Sequence, residues 1–147
     1  MKWDLLIAGC SRRKAPERRP LPALERYTGG IAPHLRTRFA GHRTARDRIR
    51  FLSAEHGLVH ADTLLTPYDR QLTPAHADRL RPLVAEQLTR EFKAEGVPDR
   101  VLLVLEPLYL VPLADLLEHP GRPTLHWVHD PRGWAETAAV LDEWRWP

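Results

Sequence analysis

The chain has 147 residues, of which 43% are hydrophobic and 28% charged, with a formal net charge of +3. That is enough apolar material for the core of one domain, and it excludes a disordered tail, a collagen-like repeat and a small disulfide scaffold. Two departures stand out: 14 prolines, about twice the usual share, and 22 basic residues, nearly all Arg. Between Arg12 and Arg50 there are 11 Arg and Lys14 against Glu17, Glu25 and Asp47, whereas the rest of the chain is acidic. Such a split suits an anionic partner at the N-terminal third, namely nucleic acid, nucleotide or phosphate. A single cysteine excludes an internal disulfide and a Cys-rich zinc site. The apolar run Leu5–Ala8 is too short for a signal segment or a membrane span, so a cytoplasmic protein with no membrane contact is expected.

In chain order, Trp3–Ala8 reads as a buried strand that opens at Gly9 onto a loop over residues 9–23. Tyr27-Thr28-Gly29-Gly30 reads as a turn. Ile31–Ala45 reads as a helix, with Ile31, Leu35 and Phe39 on one face. Ile49–Ser53 is a second strand, and Ala54–Gln71 is taken as a loop. Thr73 caps, and Pro74 begins, a long helix to about Glu95 with Leu80, Val84, Leu88 and Phe92 as its buried stripe. Gly96 and Pro98 end it. Arg100–Leu105 is a third strand, Tyr109–Leu117 a short helix, Leu125–Val128 a fourth strand. A terminal amphipathic helix starts near Trp134 and carries Ala138, Leu141 and Trp144 or Arg145.

This alternation predicts a single three-layer α/β domain with a mainly parallel sheet of about four strands, Rossmann-like in kind. Ligands of such sheets bind beyond the carboxyl ends of the strands. The loops after Ala8, Ser53, Leu105 and Val128 are therefore the candidates. The first, Gly9-Cys10-Ser11-Arg12-Arg13-Lys14, has the composition of an anion cradle, but it is neither a P-loop nor a dinucleotide fingerprint. Cys10 reads either as a nucleophile among cations or as a small buried residue. The second loop, Ser53-Ala54-Glu55-His56-Gly57, offers a carboxylate and an imidazole for general acid and base work. The His56 and His60 spacing does not make a metal pair off a helix, and neither metal nor cofactor is expected. Tyr68 reads as a base-stacking or hydrogen-bonding ring or as a core aromatic, and Asp69 as an acceptor or base. His126 and His129 border the fourth strand, while His34, His42, His76 and His119 read as surface residues.

Three segments together carry a resemblance. Cys10-Ser11-x-x-Lys14, Tyr27-Thr28-Gly29 and Leu52-Ser53-Ala54-Glu55-His56-Gly57-Leu58 leading to Pro67-Tyr68-Asp69 resemble the YaaA-like superfamily over roughly residues 3–72. The Cys-Ser-Arg-Arg-Lys loop is nearer to the superfamily's small Cys-Ser-x-x-Lys domains than to the Ser-Pro-Ala-Lys loop of YaaA proteins. The resemblance implies a fold similar to uracil-DNA-glycosylase-like domains. It also implies a function directed at nucleobases, as in the archaeosine-type relatives that act on 7-deazaguanine bases in tRNA. The expected activity is N-glycosidic cleavage or exchange, or base modification, on a nucleotide, nucleoside or nucleobase. Glu55, His56 and Asp69 are its expected catalytic residues. Cys10, Ser11, Arg12, Arg13, Lys14, Tyr27, Ser53, Gly57 and Tyr68 are the expected ligand contacts. The alternative is a non-catalytic nucleic-acid-binding stress protein of YaaA type, whose cationic segment 12–50 contacts phosphates.

Overall fold

The computed structural model describes residues 3–147. Alternating side chains of the first strand, β1 (Asp4–Gly9), divide the core in two. Leu6 and Ala8 face one apolar cluster, Leu5 and Ile7 the other. β2 (Leu21–Pro22), α1 (Ala23–Arg26), α2 (Ala32–Arg38) and α3 (Arg43–Arg46) follow, and then β3 (Ile49–Ser53). β4 (Gly57–His60) and β5 (Leu64–Leu65) precede the long α4 (Pro74–Glu95) and β6 (Arg100–Val104). A single 3-10 turn (Pro107–Leu110), α5 (Ala114–Leu117), β7 (Thr124–Val128) and α6 (Trp134–Glu143) complete the chain. No helix among the described residues is long and apolar enough to cross a membrane.

The main sheet has five strands in the order β4-β3-β1-β6-β7, parallel except for β4, with β2 and β5 as a separate antiparallel pair. Leu24, Leu35, Phe39 and Leu141 cover one face, so α1, α2 and α6 lie there. Val84, Leu88, Phe92, Leu113 and Leu116 cover the other, from α4 and α5. The chain leaves β1 over the first face toward β3 and leaves β6 over the second toward β7. The strand order therefore reverses between β1 and β6, and a crevice opens at their carboxyl ends.

The expected mainly parallel α/β sheet is present, with one strand more than expected. The segment taken as a loop, 54–71, contains β4 and β5. β4 is a hairpin partner of β3, and its turn requires Gly57 at φ +72. A Cβ there would lie 2.6 Å from Gln87 Oε1 of α4. Gln87 closes the hairpin by accepting from Leu58 N at 2.7 Å and donating to the His56 carbonyl at 3.2 Å. The helix expected over 31–45 breaks into α2 and α3, with Gly41 at φ +78 between them. The loop expected over 9–23 contains β2 and the start of α1. The helix expected over 109–117 divides into the 3-10 turn and α5. α4 begins and ends as expected: Thr73 Oγ1 accepts from His76 N at 3.2 Å, and Gly96 is its C-cap.

Arg26 is completely buried and has no carboxylate partner among the described residues. Its guanidinium donates to the carbonyls of Ala15 (2.6 Å), Glu17 (2.8 Å), Arg19 (2.6 Å) and Leu65 (3.2 and 3.1 Å). One side chain thus ties the loop after β1 to β5. Hydrogen bonds from a charged donor contribute about 1.5–3 kcal/mol each when their partners are buried. Arg26→Met is expected to lower the unfolding free energy by about 2–4 kcal/mol in a denaturant titration, with the largest loss of amide protection in residues 13–19.

Candidate functional site

The loops after β1, β3 and β6 meet at the crevice with the turn after α1 and the segment after β5, and together they carry the only cysteine and all three tyrosines of the chain. Cys10 follows β1, and its N–H donates to the Leu52 carbonyl at 3.0 Å. Its sulfur lies 3.2 Å from the Tyr109 hydroxyl, which follows β6. Ser53 ends β3 and is fully buried. Its hydroxyl accepts from the N–H groups of Glu55 (3.1 Å) and His56 (3.0 Å), which fill both lone pairs. Its own proton is therefore directed to the Tyr68 hydroxyl, 2.9 Å away. Tyr27 is fully buried, with its hydroxyl 2.5 Å from that of Tyr68. An unanswered buried O–H is costly, so Tyr27 also donates to Tyr68. Tyr68 then receives two hydrogen bonds, which leaves its own O–H available as a donor.

Burial, followed by the neighbouring Cys10, pushes the Tyr68 and Tyr109 phenols well above the ordinary tyrosine range. Burial and then Tyr68 do the same to Tyr27. The three phenols therefore stay protonated, with Tyr27 and Ser53 bonded to Tyr68 and Tyr109 bonded to the Cys10 sulfur. Linked hydroxyls of this kind hold one another's orientation.

The anion-type loop forms the wall beside this cluster. The Ser11 hydroxyl donates to the Arg13 carbonyl and accepts from Gly29 N at 3.2 Å. A Cβ at Gly29 would come within 3.2 Å of the Ser11 Cβ, so the Tyr27-Thr28-Gly29 turn packs directly on this loop. Lys14 pairs with Tyr27 in an isolated bridge and donates to the Ser11 carbonyl at 2.9 Å. Its ammonium stands 4.6 Å from the centre of the Tyr68 ring. Arg12 and Arg13 are exposed at the rim and make no side-chain hydrogen bond or ion pair among the described residues.

His56 is exposed and meets Tyr68 edge to face, ring centres 5.0 Å apart. Glu55 is exposed and lies 3.5 Å from Arg70. Asp69 is exposed beside Tyr68 and has no side-chain hydrogen bond among the described residues. Gly57 faces Gln87 of α4, so its place in the structure is the hairpin turn. Lys14 on one face of Tyr68 leaves that face closed to a stacked base.

Of the histidines read as surface residues, His76 is half-buried and its Nε2 lies 2.5 Å from the Ala54 carbonyl. His119 is half-buried against Phe92. At the carboxyl end of β7, the Trp127 and His129 rings lie 3.8 Å apart, and Trp127 Nε1 donates to the Leu105 carbonyl at 2.9 Å.

Tyr109 is the participant that sequence reasoning did not name, although the strand-end rule had marked its loop. Away from the crevice, Asp47, His60 and Asp62 bring possible metal ligands within 4.8 Å of one another. Here His60 Nδ1 accepts from Asp62 N at 3.0 Å, so a neutral ring carries its proton on Nε2, facing Asp47 at 3.5 Å. Burial and then Arg50 push the His60 pKa down, and Arg46 pairs with Asp62. These contacts make a hydrogen-bonded bridge between α3 and β4.

Fold and site together define an α/β protein with an open, mainly parallel sheet and a thiol–phenol cluster at its topological switch point. Residues 5–123 match the family DUF6884, a family of unknown function, and the chain belongs to it. No curated protein and no solved structure matches the chain.

Phenolate absorbance isolates this site, because the three clustered tyrosines are the only ones present. Their raised pKa values mean that the folded state keeps protons the unfolded chain gives up near about pH 10. The associated stability is complete below about pH 10 and is lost as pH rises beyond it. A spectroscopic pH titration is expected to show almost no phenolate until the protein unfolds, in a single step. Thermal melts are expected to hold to about pH 10 and to fall above it, less steeply in Tyr109→Phe.

Proposed function

We propose that the carboxyl edge of the sheet binds a nucleotide, nucleoside or nucleobase and acts on it, by N-glycosidic cleavage or exchange or by base modification. The observation that carries this reading is the gathering of Cys10, Tyr27, Tyr68 and Tyr109 at the crevice between β1 and β6, beside Lys14. The resemblance of residues 3–72 to the YaaA-like superfamily, including its small Cys-Ser-x-x-Lys domains, supplies the substrate class.

In this reading Arg12, Arg13 and Lys14 hold a phosphate or other anionic group at the rim. Ser11 serves by fixing the loop, since its hydroxyl is committed to Arg13 and Gly29. The Tyr68 and Tyr109 hydroxyls orient the base through its polar edge rather than by stacking. His56 and Glu55, both exposed at the end of β3, serve as acid and base, and Asp69, in the segment after β5, is the second carboxylate. A fold of the uracil-DNA-glycosylase or Rossmann kind is part of the same proposal.

The non-catalytic nucleic-acid-binding alternative draws on the cationic segment, but much of that charge is engaged internally. Arg26 and Arg36 hold main-chain carbonyls, and Arg38, Arg46 and Arg50 pair with Asp142, Asp62 and Glu91.

A panel of nucleosides and nucleoside monophosphates, assayed for binding by calorimetry and for base release or exchange by chromatography, tests the proposal. At least one monophosphate is expected to bind and turn over. Lys14→Ala is expected to weaken binding about tenfold. His56→Asn and Glu55→Gln are expected to cut turnover by about a hundredfold or more with binding little changed. Absence of turnover across the panel contradicts the enzymatic reading. Steeply salt-dependent binding of DNA or RNA without turnover supports the alternative.

A further inference from the structure

At the opposite edge of the sheet, α6 ends in a Schellman motif. Trp146 N donates to the Leu141 carbonyl at 2.9 Å and Arg145 N to the Asp142 carbonyl at 3.0 Å. The residue between cap and closure sits in the left-handed region, and there the chain has Arg145, φ +62, in the place glycine normally takes. The helix dipole favours a cation near this end, but it does not require one at the strained position itself.

The Arg145 side chain borders an open groove of about 240 Å³, lined also by Arg48, Thr44, Trp144 and Trp146. Arg48 is half-buried just before β3, and neither Arg48 nor Arg145 has a side-chain hydrogen bond or ion pair among the described residues. The one side-chain carboxylate in the lining, Asp4, is already answered, and the Pro147 carbonyl oxygen accepts from Arg38 Nε at 2.7 Å. Arg100 donates to both its oxygens at 2.8 Å, and Trp146 Nε1 donates at 3.2 Å. Arg100 also covers the Trp144 ring at 4.7 Å. The groove therefore combines indole surface, a hydroxyl and two uncommitted guanidiniums.

We propose that this groove is a second ligand site, separate from the carboxyl edge, for a small aromatic phosphate. The phosphate dianion is matched by Arg48 and Arg145 and the flat apolar body lies against the half-buried Trp144, which the buried Trp146 backs. The small volume suits a single ring with its phosphate.

Phenyl phosphate, titrated into the full chain and followed by amide and indole N–H resonances, tests this. Saturable shifts are expected at Arg48, Arg145 and the Trp144 and Trp146 indoles, with neutral phenol producing none. Arg48→Ala and Arg145→Gly are each expected to weaken binding about tenfold. Arg145→Gly relieves the left-handed strain, so it is expected to melt at or above the parent temperature, and weaker binding in that variant is not misfolding. Shifts confined to residues 10–14 and 53–56, unchanged affinity in both arginine variants, or equal shifts with phenol would overturn the proposal. None of these results bears on turnover at the carboxyl edge.

Discussion

A fully buried guanidinium with only carbonyl oxygens as partners, Arg26 sets the geometry on which the rest of the candidate site depends. A buried charge is costly unless every donor is answered, and here the loop after β1 curls around the side chain to answer it. Ala15 N returns a hydrogen bond to the Arg26 carbonyl at 2.8 Å, so the main chain and the side chain hold the same loop. Arg36 adds bonds to the carbonyls of Leu24 and Tyr27, at 2.6 and 2.8 Å. Tyr27 is thereby fixed from both sides, and Tyr68, three residues beyond the Leu65 carbonyl that Arg26 holds, is brought within reach of it. The position of the phenol pair follows from the arginine clamp.

The same contacts change the meaning of the charge. As composition, the excess of arginine over residues 12–50 suggests an extended cationic surface. In the folded chain it separates into structural arginines, which brace loops and helices, and exposed ones such as Arg12 and Arg13 at the rim of the crevice. Charge content alone cannot separate these, because the partners are main-chain carbonyls for Arg26 and Arg36 and carboxylates distant in sequence for Arg38, Arg46 and Arg50.

Where periodicity was strong, the sequence was sufficient. Leu80, Val84, Leu88 and Phe92 are all buried on one face of α4, and β3 has the limits its apolar run predicts. The strand-end rule marked loops that the structure brings together, since Cys10, Ser53 and Tyr109 all stand at carboxyl ends. The hidden parts were short or non-local. β4 is only Gly57–His60, and its evidence is a hairpin turn with no period of its own. The α2–α3 break follows from backbone geometry at Gly41, which a helical pattern of Ile31, Leu35 and Phe39 conceals. The convergence of tyrosines at 27, 68 and 109 depends on strand order, which no local pattern contains. Glu55 and Asp69 were read as acid–base groups from type and place. The structure puts both at the surface, with Glu55 beside Arg70.

The central claim is that the crevice between β1 and β6 receives a nucleotide-like ligand. A crystal structure of the protein soaked with a nucleoside monophosphate tests it most directly. Ligand density is expected between the loop of residues 9–14 and that of residues 53–56, with the phosphate on Arg12, Arg13 or Lys14 and the base facing Tyr68 and Tyr109. Density at the opposite edge of the sheet alone, or an empty crevice at saturating ligand, would contradict it.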